Sequence, residues 1–124
     1  MNIQLAELSN NLQTNQKKRI VLRTAEKLHL IPVKEIVRCE AERNYAMFFL
    51  ENGKKIIVSS PMKDFEDILS EQGFFRLHKS HLVNLTFVDS YVKTEGGYVV
   101  LTDGTVLPVA MRKKNQLMEL FGKL

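Results

Sequence analysis

The chain has 124 residues, one ordinary domain's worth, and a chain of this length buries roughly two-thirds of its unfolded surface, so one core holds it without staples. Hydrophobic residues make up 44% and charged residues 26%, a globular balance that argues against disorder, and Cys39, the single cysteine, excludes an internal disulfide framework and a multi-cysteine zinc site. The formal charge of +4 is compatible with a polyanion partner without proving one.

In chain order, residues 1–17 commit least. Leu5, Leu8 and Leu12 repeat at helical spacing among polar residues, which reads as a linker or partial helix from an upstream connection. Met1 to Gln4 carry no basic run followed by an apolar stretch, and no apolar run is long enough to span a bilayer. The expectation is a soluble, cytoplasmic domain over 18–124, with no membrane partner.

From Arg19 the period becomes two. Ile20 and Leu22 alternate with Arg19, Val21 and Arg23, and Leu28 and Leu30 with Lys27 and His29. These are two short strands joined near Thr24 to Glu26, with Pro32 as an interruption. Ile36 to Glu40 and Tyr45 to Leu50 form the next pair, bridged by Ala41 to Asn44. Asn52-Gly53 is the sharpest hairpin signal, because both residues tolerate positive φ, and Lys54 to Ser59 is the return strand.

One clear helix follows. Ser60 is the expected N-cap, Pro61 suits the first helical position, and Asp64, Glu66 and Asp67 favour the positive end of the dipole. Met62, Phe65, Ile68 and Leu69 make its apolar stripe, and Gly73 ends it. Beyond it, Phe74 to Leu77 is short and apolar, and Arg76 to His81 is a polar break before Leu82, Val83 and Leu85. Phe87 to Lys93 and Tyr98 to Leu101 read as strands around Glu95-Gly96-Gly97. Asp103-Gly104 is a second tight turn, with Thr105 to Val109 returning. Leu117, Leu120 and Phe121 mark a short C-terminal helix stopped by Gly122.

Catalytic signals are weak. No phosphate-binding loop, zinc-protease pair or nucleophile elbow is present, and the carboxylates do not pair, so an enzyme is not expected. Cys39 sits among apolar neighbours and reads as a buried, inert thiol. His78 and His81 lack a third ligand in the nearby sequence, so neither a metal nor a cofactor is expected.

Positive charge gathers in two places. Arg76, His78, Lys79 and His81 occupy the polar break without an acid, and Arg112, Lys113 and Lys114 follow the last strand. Long cationic side chains on loops of a rigid β scaffold reach phosphates and base edges. Arg and Lys pair with guanine O6 and N7 in the major groove. Charge alone leaves equal room for a merely solvated surface.

The stretch FRLHKSHLVNL, Phe75 to Leu85, resembles the signature of the LytTR family, the DNA-binding output domain of bacterial LytR/AlgR-type response regulators. IPVKEIVRCEAERNY (31–45), SPMKDFEDIL (60–69) and LTDGTVLPVAMRKK (101–114) are similar to its opening strand and loop, its helix and its closing hairpin. Near Ala110 the family usually has a serine, a departure at the edge of the closing loop.

The resemblance implies a mostly β fold with a minor α component: small antiparallel sheets, one short central helix and a short C-terminal helix. It implies double-stranded DNA read by loops in the major groove, by a transcriptional regulator in a two-component system. Three contact positions carry over: Arg43, Asn44 and Tyr45; Lys79; and Arg112. Arg76, Lys93 and Lys113 are candidate phosphate contacts, and His78, Ser80 and Asn84 are as suited to structure as to binding. Core residues are expected at Phe74, Phe75, Leu82, Val83 and Leu85. The resemblance also implies paired repeat sites, a dimer on DNA and an upstream receiver domain in a full-length protein. An RNA-binding surface or a protein-interaction β module is the alternative.

Overall fold

The computed structural model describes residues 18–123. The leucine-spaced start at Leu5 to Leu12, read above as a linker, lies outside the described residues.

Ten strands fall in three antiparallel sheets among the described residues. β1 (Arg19–Arg23) and β2 (Leu28–Pro32) form a ribbon. β3 (Ile36–Glu42), β4 (Tyr45–Leu50), β5 (Lys55–Val58), β6 (Phe74–His78) and β7 (His81–Asn84) form a five-stranded sheet in the order β5-β4-β3-β7-β6. β8 (Val88–Val92), β9 (Tyr98–Leu101) and β10 (Val106–Pro108) form a third sheet. Helix α1 (Lys63–Ser70) follows β5, and α2 (Lys114–Lys123) closes the described chain.

The five-stranded sheet is buried on two faces because β3 and β7 alternate between two cores. Cys39, Ala46, Phe48, Leu50, Ile56, Val58, Phe74 and Leu82 join Ile20 and Leu22 of the ribbon and Met62 and Leu69 beside and on α1. Phe65 meets Phe48 edge-on, with ring centroids 5.0 Å apart. On the opposite face Val37, Phe75, Leu77 and Val83 pack against Val99, Leu101, Leu107, Val109 and Leu117. The adjacent pair Leu82-Val83 thus enters both cores, which explains its unbroken apolar run.

Several expected details change. Leu28 and Leu30 are 55% and 53% exposed, because the register sets Leu30 opposite Val21 and Leu28 opposite Arg23 on the outer face. The inner positions of β2 are His29 and Ile31, opposite Leu22 and Ile20. Pro32 ends β2 inside the pairing, opposite Arg19, instead of interrupting it. Ser60 does not cap α1: Met62 holds the N-cap position, in helical geometry and without a side-chain cap bond. Ile68 is exposed and leaves the stripe. Leu85 is only half-buried, and Gly122 lies within α2.

At the two expected hairpins the glycine alone takes positive φ, and the Asn or Asp before it serves as a side-chain acceptor instead. Gly53 takes φ 89° and Gly104 φ 90°, and the side chains of Asn52 and Asp103 accept from the amides of Lys54 and Thr105. Gly73 takes φ 90° after α1, as a helix-ending glycine does.

Candidate nucleic-acid interface

Antiparallel pairing puts the two cation-bearing connections of the large sheet at one end. β3 climbs to Glu42 and turns back, while β7 starts beside it with His81 opposite Glu40. The β3–β4 and β6–β7 turns therefore project together, and the amide of Ala41 donates to the Ser80 carbonyl over 2.9 Å.

The third segment arrives from the other sheet. After β10, Val109 enters the second core and the amide of Ala110 donates to the Leu77 carbonyl at 2.8 Å. A short 3₁₀ turn, Met111–Lys113, follows directly. Two hydrogen bonds thus string three loop segments along one end of a sheet packed on both faces.

The tips carry most of the sequence-predicted residues. Arg43, Asn44, Tyr45, Lys79 and Arg112 are exposed. β3 extends to Glu42, so the first connection is only Arg43-Asn44, closed by the Glu42–Tyr45 pair. Arg43 sits at φ 57°, in the left-handed region that costs a non-glycine residue about 1–2 kcal/mol. The expected polar break from Arg76 to His81 shrinks likewise. Arg76 and His78 belong to β6, His81 opens β7, and only Lys79-Ser80 remain as turn.

Arg76, Lys113 and Lys114 have partners within the fold. Arg76 reaches the Glu66 carboxylate of α1 at 2.5 Å, the Lys79 carbonyl at 2.5 Å and the His78 carbonyl at 3.3 Å. The Lys113 ammonium lies 5.3 Å from the centroid of the Phe75 ring, half-buried. Lys114 donates to the Gly96 carbonyl. Lys93, by contrast, is exposed just past the end of β8. The His78 Nδ1 accepts from the Ser80 amide at 3.2 Å. Asn84 is buried, donating to the Ile36 carbonyl and accepting from the Thr86 amide, a structural assignment.

Beside the turn, Glu40 accepts from Arg38 at 2.8 Å, and the Arg38 guanidinium stacks 3.7 Å from the Phe49 ring centroid. The His81 Nδ1 is buried, lies 3.8 Å from Glu40 and has no hydrogen-bond partner. Burial pushes the His81 pKa below its ordinary value, with Glu40 opposing and His78 and Arg38 adding to the fall. Burial likewise pushes the Cys39 thiol up to about 12, as an inert cysteine requires. Among the described residues no cluster of three metal-ligating side chains occurs, and no helix is long and apolar enough to cross a membrane.

Two residues escape sequence reading. Met111 is 83% exposed beside Arg112, an apolar side chain with no core to join. Its position between the last strand and a basic run was the available signal. Glu66 looks like any acid near a helix start, and only the tertiary structure brings it to Arg76.

An antiparallel frame that holds cation-tipped turns at one end, with helices of only eight and ten residues, has the architecture of a β-scaffold nucleic-acid-binding domain. Residues 26–122 match the LytTr DNA-binding domain, and the chain belongs to that family. The solved LytTr DNA-binding domain of a Bacillus cereus protein, described as a methyl-accepting/DNA response regulator, superposes with a TM-score of 0.72 at 20% identity. That match covers 86% of this chain and 98% of the other, and it shows the fold. The chain is also 28% identical over 96 residues to the heme-containing CO-sensing transcriptional regulator RcoM 2 of Paraburkholderia xenovorans (strain LB400). That match takes in 75% of this chain but only 36% of the relative's length.

Proposed function

We propose that the domain binds double-stranded DNA sequence-specifically, setting the three adjoining tips into a major groove, and acts in transcriptional regulation. The observation that carries this reading is the linkage of the Arg43, Lys79 and Arg112 segments at one sheet end by the Ala41–Ser80 and Ala110–Leu77 bonds. Arg112 and Lys79 read bases, Arg43 and Asn44 add base or phosphate bonds, and Tyr45 flanks them. Lys113 and Lys93 serve phosphates. Met111 adds an apolar contact of the kind that thymine methyl groups accept. The transcriptional role draws on the family and on the regulator it resembles over part of its length. The role of output domain to an upstream receiver draws on the response-regulator description of the Bacillus cereus protein. Two copies on paired repeats, inside the cytoplasm, complete the reading.

Selection from random duplexes tests it. A defined site should emerge, and its affinity should fall with salt at a log–log slope of about −4 to −5 for about five neutralised phosphates. Equal binding to single-stranded RNA, or binding indifferent to salt, would sink the proposal.

A further inference from the structure

We propose that Arg76 and Glu66 form a positioning brace that sets the shape of the Lys79-Ser80 turn, so that helix α1 fixes how Lys79 is presented. The inference rests on the DNA-reading function above and reassigns Arg76 from direct contact to support. Two-residue hairpins favour primed turns, whose positive φ matches the twist of the strands. Among the described residues only Arg43 and Glu95 are non-glycine residues with positive φ, so Lys79 and Ser80 use neither primed geometry. The ladder is also irregular here, with a register shift between Arg76 and His78. Turn residues therefore do not dictate this connection, and side chains must.

Arg76 does so from inside the hairpin. One face of its fork holds the carbonyls of His78 and Lys79, and the remaining nitrogen is anchored on Glu66 across from β6. The rigid planar donor set of arginine serves three acceptors at once, which a lysine ammonium on a flexible stem does not reproduce. His78 adds a second tie through Ser80, and Ala41 a third. Both Arg76 and Glu66 keep part of their side chains in water, so the pair's role is geometric more than energetic.

The sign of one substitution separates this role from simple charge. Glu66→Ala raises helix propensity while giving up one favourable charge in the first turn, and it makes the domain more basic. Charge alone would tighten every duplex. The brace instead weakens the selected site about three- to tenfold, the cost of re-ordering one freed, rotamer-rich side chain on binding, while random duplex is held or tightened. Glu66→Gln keeps an acceptor and should stay nearer wild type, although its charge change equals that of alanine.

In the free protein, ¹⁵N relaxation at Lys79 and Ser80 should show order parameters dropping from about 0.85 in Glu66→Ala and in Arg76→Lys. Uniform tightening with an unchanged turn would overturn the proposal. A wild-type domain that selects no site would remove the DNA reading and the specificity half of this role. The relaxation data would still decide whether the brace holds the turn.

Discussion

The amide of Ala110 donates to the carbonyl of Leu77 over 2.8 Å, and each residue stands two positions before an exposed cation, Arg112 and Lys79. One backbone bond thus brings together basic residues that lie 33 positions apart in the chain numbering. It also joins two sheets, so the spacing of the tips is inherited from packed cores rather than from flexible loops. A site on such a frame loses little freedom on binding.

Arg112→Ala should cost about 1–3 kcal/mol at a selected site, with the preference relaxed at one base position, as loss of a bidentate contact to guanine requires. Fluorescence anisotropy over a set of singly substituted duplexes checks this. An unchanged affinity profile would take Arg112 off the interface.

Lys113→Ala should weaken all duplexes alike and make the salt slope shallower by about 1, the mark of one lost phosphate contact. Release of its ammonium from the Phe75 ring adds a stability loss of about 0.5–1 kcal/mol, read by urea unfolding. A loss confined to one base position would contradict the phosphate role.

Arg43→Gly should stabilise the fold and impair binding together. The left-handed φ of 57° disfavours arginine, while glycine gives up more chain entropy, so the net gain is about 0.5–1 kcal/mol. A thermal melt beside a duplex titration separates the two effects. A less stable variant would show that the Arg43 side chain holds the hairpin.

Asn84→Ala should cost about 2–4 kcal/mol in denaturant unfolding, since it removes two bonds and leaves the Ile36 carbonyl and the Thr86 amide without their partner. The residual folded protein should keep the wild-type salt slope, because Asn84 is buried away from solvent.

Acid should weaken the fold through His81. Its folded pKa lies below the ordinary 6.5, so the unfolded chain takes up protons first, and stability falls as pH drops below about 6.5 until the folded form titrates too. Glu40 faces the ring and opposes this, while His78 and Arg38 reinforce it. His81→Gln should flatten the urea-midpoint profile in that window. Asp103, whose pKa is lowered by hydrogen bonds from Thr105, acts the same way but only below its ordinary 3.8. A profile that keeps its full slope in His81→Gln would assign the loss to other groups.

Much of the molecule is legible from residue order because its signals are local. Gly53 and Gly104 encode their turns in the positive φ that glycine tolerates, Asn52 and Asp103 in the amides their side chains bind, and Ile20 and Leu22 encode a buried strand face by period. The basic residues at Lys79 and Arg112 stand out as charge without nearby acid, and the motif around them points to the family the chain belongs to.

Period alone failed where two faces compete. Leu28 and Leu30 alternate as a buried face would, yet the register of the ribbon turns them outward. A one-residue choice of register reverses a whole strand face, and residue order does not fix that choice by itself.

Residue order determined which groups are charged, which are apolar and where the chain turns, because those properties belong to single residues and their immediate neighbours. Tertiary structure decided which cations have partners and which face water. Glu66 meets Arg76 from a helix, Phe75 meets Lys113 across two elements, and Ala110 meets Leu77 across two sheets. Such pairings depend on distances through space, which follow from the packing of two cores and not from separation along the chain.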